Sequence, residues 1–356
     1  MTTLSTFALP VRAEEENLRP LPWRQMAWVT WRQHRTGLTA VTAMFAAIAV
    51  LLGVAGLHLH HAYAAAIACQ PANSFACNNL VNTFNGMYGF VANGFIFQPV
   101  PALVGAFLGA PVLARELESG TFRFAWTQGF GRWRWTFAKV VGLGCVVTAV
   151  AGAISVLLSW YYQPYFPAGS QALYVSRELP LMASSPLGAG LFDLRGVTFA
   201  AWALAAFATG LLTGVLVRRV VPAIVATLVA YTGLAFAVGG ILRQHYLAPL
   251  VTSKLNIPDS AWVLSQQWLT KAGRPASQSV LSHVLQGAPG QLFSKGGVPK
   301  SVNVWQYLVQ HGYTQLTTYQ PADRFWPFQW IEGGWLFALS VLLIAATVWL
   351  VRRRAA

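Results

Sequence analysis

Gly196–Ile241 reads GVTFAAWALAAFATGLLTGVLVRRVVPAIVATLVAYTGLAFAVGGI. Two apolar runs, Gly196–Val217 and Val220–Ile241, are parted only by Arg218-Arg219. Each is close to the roughly 20 residues a helix needs to cross the hydrocarbon of a bilayer. Neither alternates in the way a barrel strand would, so the stretch predicts two transmembrane helices joined by a tight, doubly basic turn.

Four further runs have the same character: Gly37–Leu57, Tyr88–Leu113, Val140–Trp160 and Gly334–Val351. The second contains Pro99, Pro101 and Pro111, which are candidate kink points, although proline is also common in ordinary membrane helices. The expected fold class is therefore an all-α membrane protein with six transmembrane helices. Composition agrees: 55% of the 356 residues are hydrophobic and only 10% are charged, against about 25% in soluble domains.

The net charge of +14 sits beside the apolar runs and not on a soluble face, which argues against nucleic acid as a partner and for membrane lipids. Arg24, Arg32 and Arg35 precede the first run. Arg115, Arg123, Arg132, Arg134 and Lys139 lie between the second and third, and Arg352, Arg353 and Arg354 follow the sixth. Leu57–Asn85 has no Lys or Arg. Every second connection is basic, which predicts both termini on the cytoplasmic side.

The organisation read from this is a disordered cytoplasmic tail over 1–20, an elbow and five spans over 21–242, an external insertion over 243–328, and the sixth span with a basic end over 329–356. The first 19 residues lack an apolar core, so they do not read as a signal peptide. In Leu21–Arg35, Trp23, Ala27 and Trp31 share one helical face, which suits an interfacial elbow helix or, alternatively, a plain basic flank. Cys69 and Cys77 lie in an external stretch where a disulfide can form; the alternative is two free thiols. Cys145 lies inside the third span. In the insertion, Asp259 is expected to cap a helix through Trp262, Leu264 and Trp268, and Ser301 another through Val304, Trp305 and Leu308. Gly287–Pro299 reads as loop, and Phe325–Trp330 as an aromatic belt at the outer headgroups.

The chemistry of the chain is spare. There is no G-x-x-x-x-G-K-[ST], so no loop to cradle phosphates and no ATP hydrolysis by this chain, which is not read as an enzyme. There is no C-x-x-C or H-E-x-x-H. His58, His60 and His61 read as an interfacial cluster; no metal and no resident cofactor is expected. Asp193, Arg195 and Glu332 fall at the outer ends of spans, where water is near, and no midplane carboxylate suggests ion-driven transport.

One polar segment stands out. After the second run the chain reads AREL-ESGT-FRFAWTQ over Ala114–Gln128. Arg115, Glu116 and Glu118 supply charge, Gly120-Thr121 a break, and Phe122 and Trp126 apolar contact. Such a segment can dock a partner or serve as a charged loop with aromatic anchors.

Glu118-Ser119-Gly120-Thr121 followed by Thr127-Gln128, placed between the second and third of six spans, resembles the permease of type-2 ATP-binding-cassette (ABC) exporters. Trp28-Val29-Thr30-Trp31-Arg32-Gln33 and Tyr319-Gln320-Pro321-Ala322-Asp323-Arg324-Phe325-Trp326 resemble a bacterial branch of that family. The resemblance implies a multi-pass protein of the bacterial cytoplasmic membrane, paired as a dimer that is expected to be a homodimer, with two copies of a separate ABC ATPase that bind ATP and Mg. It implies that Leu21–Arg35 is an elbow and that Arg115, Glu116, Glu118, Gly120, Thr121, Phe122 and Trp126 form the ATPase-coupling helix. It further implies that the second and fifth spans line the substrate pathway, where Asn93, Phe97, Gln98, Tyr231 and Thr232 are the candidate contacts. The expected function is export of a hydrophobic or amphipathic substrate; the alternative is a mechanotransmission or signalling subunit acting through the external insertion.

Overall fold

The computed structural model describes residues 23–71, 74–91, 96–120, 132–166, 185–188, 190–254, 257–258, 260–287 and 301–354. The protein is mainly helical. In chain order the elements are α1 (Trp23–Ala68), α2 (Phe75–Val91), α3 (Val100–Ser119), α4 (Arg132–Tyr162), α5 (Thr198–Val217) and α6 (Val220–His245). A small insertion follows: β1 (Leu250–Thr252), β2 (Trp262–Leu269), α7 (Gln278–Gln286), α8 (Ser301–Gln310) and β3 (Thr314–Gln320). The last helix is α9 (Phe325–Arg354). Among the described residues, six helices are long and apolar enough to cross a membrane, and they belong to α1, α3, α4, α5, α6 and α9.

Several boundaries differ from the sequence reading. The first span falls on Phe45–Ala68, within a helix that runs unbroken from Trp23. The alanine-rich Ala62–Ala68 continues the helix through the histidines, and His60 stacks on Trp160 of α4 at 4.7 Å. Trp23–Arg35 forms the first turns of α1; its side chains and the tail over 1–20 lie outside the described residues. The second span is Val100–Ser119, not Tyr88–Leu113. Tyr88 lies in the last turn of α2, which ends at Val91, and Pro99 and Pro101 open α3, where a missing N–H costs nothing. They are therefore start signals, not kinks. Pro111 lies inside the span, and Gly105–Gly109 just before it is wound as a π-turn, the irregularity expected where proline removes a helical donor.

The insertion holds the clearest correction. Trp262–Leu269 is a strand, not a helix. β3 lies between β1 and β2 in an antiparallel sheet. Trp262, Val263 and Trp268 are residues that a half-buried strand favours, and all three pair with β3, while Leu264 falls at a β-bulge. Asp259 lies outside the described residues. The insertion also starts later and ends earlier than expected, because α6 runs on to His245 and α9 begins at Phe325. Cys69 and Cys77 are bonded, with Cα atoms 5.6 Å apart, while Cys145 is free.

α5 is the centre of the bundle, packed on α3, α4, α6 and α9. Its contact with α3 is backbone on backbone. A Cβ added at Gly109 would lie 2.6 Å from the Phe207 carbonyl oxygen, and one at Gly214 would lie 2.6 Å from that of Ala110. Gly105 and Gly109 on α3 thus face Gly210 and Gly214 on α5, two small-residue pairs at the four-residue spacing that lets membrane helices approach closely.

Candidate functional site

The basic turn is one of two places where charge gathers. α3 stops at Ser119 because Gly120 takes the left-handed conformation, with φ of +70°, a stop that glycine makes without strain. One turn earlier Lys139 Nζ donates to Glu116 Oε1 at 2.5 Å; Lys139 is buried and Glu116 half-buried. The N–H of Val220, at the start of α6, donates to Glu118 Oε2 at 3.0 Å. Arg219, which precedes α6, offers no capping side chain, so Glu118 from another helix satisfies that donor and meets the positive end of the helix dipole. Arg115 is exposed on the last turns of α3. Thr121, Phe122 and Trp126 lie outside the described residues. Of the seven coupling candidates, the structure therefore fixes the root of the segment: Glu116 ties it to α4, and Glu118 ties it to α6.

The other gathering lies at the opposite end of the α5–α6 hairpin. Arg243 is 1% exposed. Its Nε donates to Glu332 Oε2 at 2.9 Å and its Nη2 to Glu332 Oε1 at 2.8 Å; Nη2 also pairs with Asp193. Glu332, on α9, has no exposed area. It also accepts from Trp202 Nε1 (3.0 Å) and from the Tyr246 hydroxyl (3.1 Å), which itself accepts from Trp335 Nε1. The guanidinium of Arg243 lies over the Phe192 ring at 4.4 Å. This overturns the expectation that Glu332 is near water: α5, α6 and α9 close over it. Arg195 is set over the rings of Phe166 and Phe325, and burial lowers its pKa to about 10. Burial raises the Asp193 carboxyl to about 7, opposed by Arg243 and reinforced by the Glu332 charge. Burial, then Glu332, pushes the Tyr246 hydroxyl upward.

Beside this network is a cavity of about 20 Å³, room for one water-sized group. Gln98, Asp193, Phe199, Trp202 and Tyr231 line it. Two pathway candidates, Gln98 and Tyr231, meet here. Gln98 Nε2 donates to the Gly190 carbonyl at 3.1 Å, and Tyr231 packs edge-on against Trp202 at 5.4 Å. Phe97 packs against the main core instead. Thr232 is exposed, because the next residue along a helix points about 100° away. Asn93 lies outside the described residues. The sequence reading missed Arg243, which it placed in the insertion. An ionisable residue at the end of an apolar run, with Asp193 and Glu332 near the ends of others, was the available signal.

No curated protein and no solved structure matches the chain. The profile of the family described as ABC-2 membrane transporter related matches residues 42–243, more than half of the chain. That region holds the first five spans, the glycine seam between α3 and α5, and the Glu116–Glu118 segment at the basic turn. With six apolar helices and this match, the chain is a multi-pass membrane protein that belongs to the ABC-2 membrane transporter related family.

Proposed function

We propose that the chain is the permease subunit of an ATP-driven exporter that moves a hydrophobic or amphipathic substrate outward across the bacterial cytoplasmic membrane. Two copies of the chain pair, and each receives one copy of a separate ABC ATPase that binds ATP and Mg. In this reading the Arg218–Arg219 turn, both termini and the segment after Ser119 face the cytoplasm, and Trp23–Arg35 lies along the inner leaflet as an elbow.

The observation that carries the reading is the anchoring of the segment after Ser119. It leaves α3 at Gly120, and its root is fastened to α4 through Glu116–Lys139 and to α6 through Glu118–Val220. A push on it is passed to three spans together, as a rigid-body mechanism requires. Arg115, Thr121, Phe122 and Trp126 then form the surface that meets the ATPase, while Glu116 and Glu118 transmit the movement.

The chain tagged in its native membrane should copurify with an ABC ATPase. Phe122→Ala with Trp126→Ala should lose the ATPase while the amount of folded chain is unchanged. Undiminished copurification would remove the docking surface. A second reading, mechanotransmission, draws on hydrogen bonds that tie together the two connections by which the insertion leaves α6 and enters α9. Gln320 Nε2 donates to the Leu247 carbonyl at 2.8 Å, and Arg324 Nη1 to the Ala248 carbonyl at 2.7 Å. Flux across liposomes by the assembled complex separates the two: ATP-driven movement of substrate supports export.

A further inference from the structure

The Arg243 network carries a charge imbalance that the cavity beside it can answer. Two carboxylates, Asp193 and Glu332, share one guanidinium. Arg195 makes no ion pair with either among the described residues; its guanidinium faces rings. With both acids ionised the cluster holds one net negative charge in a largely buried place, and an uncompensated buried charge is strongly unfavourable. The two acids are not equivalent. Glu332 is fully buried and bonded to Arg243, Trp202 and Tyr246, whereas the Asp193 side chain keeps 19% of its surface and lines the cavity. Tyr231, 8% exposed, lines the same space. Trp202 and Phe199 supply ring faces or edges around it. An acid, a tyrosine and aromatic walls around a water-sized space form a receptor for a small cation that donates hydrogen bonds.

We infer that this cavity is a subsite for a primary ammonium group, the cationic head of an amphipathic substrate, held by Asp193 and Tyr231. The inference rests on the reading of Gln98 and Tyr231 as pathway residues and narrows the substrate to amine-bearing amphipaths. The size of the cavity selects a primary amine over a trimethylated one. Because the Asp193 carboxyl titrates at about 7, a bound ammonium competes there with a proton. Arg243, Glu332, Tyr231 and Tyr246 are the other charged or titratable groups around it.

The test measures binding of n-dodecylammonium, n-dodecanol and dodecyltrimethylammonium to the purified chain in phosphatidylcholine nanodiscs at pH 8, with empty nanodiscs as the blank. The amine should bind at least tenfold more tightly than either of the others. Asp193→Asn should weaken the amine at least tenfold and leave the alcohol unchanged; Tyr231→Phe should weaken the amine about threefold or more. If Asp193→Asn does not fold, Tyr231→Phe and the amine-to-alcohol ratio decide alone. Equal affinity for amine and alcohol, or unaltered amine binding in the folded variants, overturns the subsite. Export is tested apart from this, by ATP-driven flux in the complex. Amine binding without flux removes the export reading and keeps the subsite; equal flux of amine and alcohol removes the subsite and keeps export.

Discussion

At the Arg218–Arg219 turn, the start of α6 is held by the exposed carboxylate of Glu118, reaching over from α3. At the opposite end of the hairpin, the start of α5 is held by Gln329 of α9. The Gln329 side-chain oxygen accepts from the N–H groups of Val197 and Thr198 and from the Thr198 hydroxyl, each at 3.0 Å, and its Nε2 donates to the Phe192 carbonyl at 3.0 Å. Both helices lack a capping side chain of their own, at Val197 and Arg219, and both borrow one from a distant span. The difference is solvent. Gln329 is fully buried beside the Arg243 network, so every group there depends on its partner. Glu118 is wet, so its bond is replaceable by water. The buried end is suited to fix geometry, and the wet end to give and re-form under load.

Removing Arg243 should give the largest effect. Arg243→Met leaves two carboxylates in a closed site and should cost about 3–5 kcal/mol, read from thermal unfolding in nanodiscs. Adding Glu332→Gln should recover part of the loss, since the two residues act as one unit. Strictly additive effects would show that the network is not a unit. Gln329→Ala should come next, at about 1–3 kcal/mol, because it strands buried donors at the start of α5. Glu118→Ala, at the wet end, should cost about 1 kcal/mol or less and lose its effect in high salt. A cost equal to that of Gln329→Ala would erase the contrast between the ends.

A separate effect should be a slope with pH. The folded chain holds the Asp193 proton up to about 7, whereas the unfolded chain releases it near 3.8. The folded state thus binds more protons across that window, so stability should fall as pH rises from about 4 to about 7 and then level off. Asp193→Asn should flatten the slope, as followed by unfolding temperature against pH. A slope that persists unchanged in the variant would place the titration elsewhere.

The hairpin was legible because two apolar runs around Arg218-Arg219 leave a bilayer as the only solvent for them. The strand at Trp262–Leu269 was not. Its apolar residues fit a short helix as well as a strand, and the partner that decides, β3, lies some fifty residues further along the chain. At the candidate site, Gln98 and Tyr231 were recognisable as polar groups in apolar runs. That they share a cavity while Thr232 turns away was not, because this depends on how α3 and α6 are rotated against α5.

By itself, then, the amino-acid order determined which stretches leave water, since that depends on the summed apolarity of about 20 neighbouring residues. It also marked where helices stop, as at Gly120. Only the tertiary structure decided which charges are buried and which helix caps which. Arg243 meets Asp193 and Glu332 across separations of 50 and 89 residues, and Gln329 meets Thr198 across 131. Such contacts are set by how the spans pack, through the glycine seam of α3 and α5, and no local run of residues encodes them.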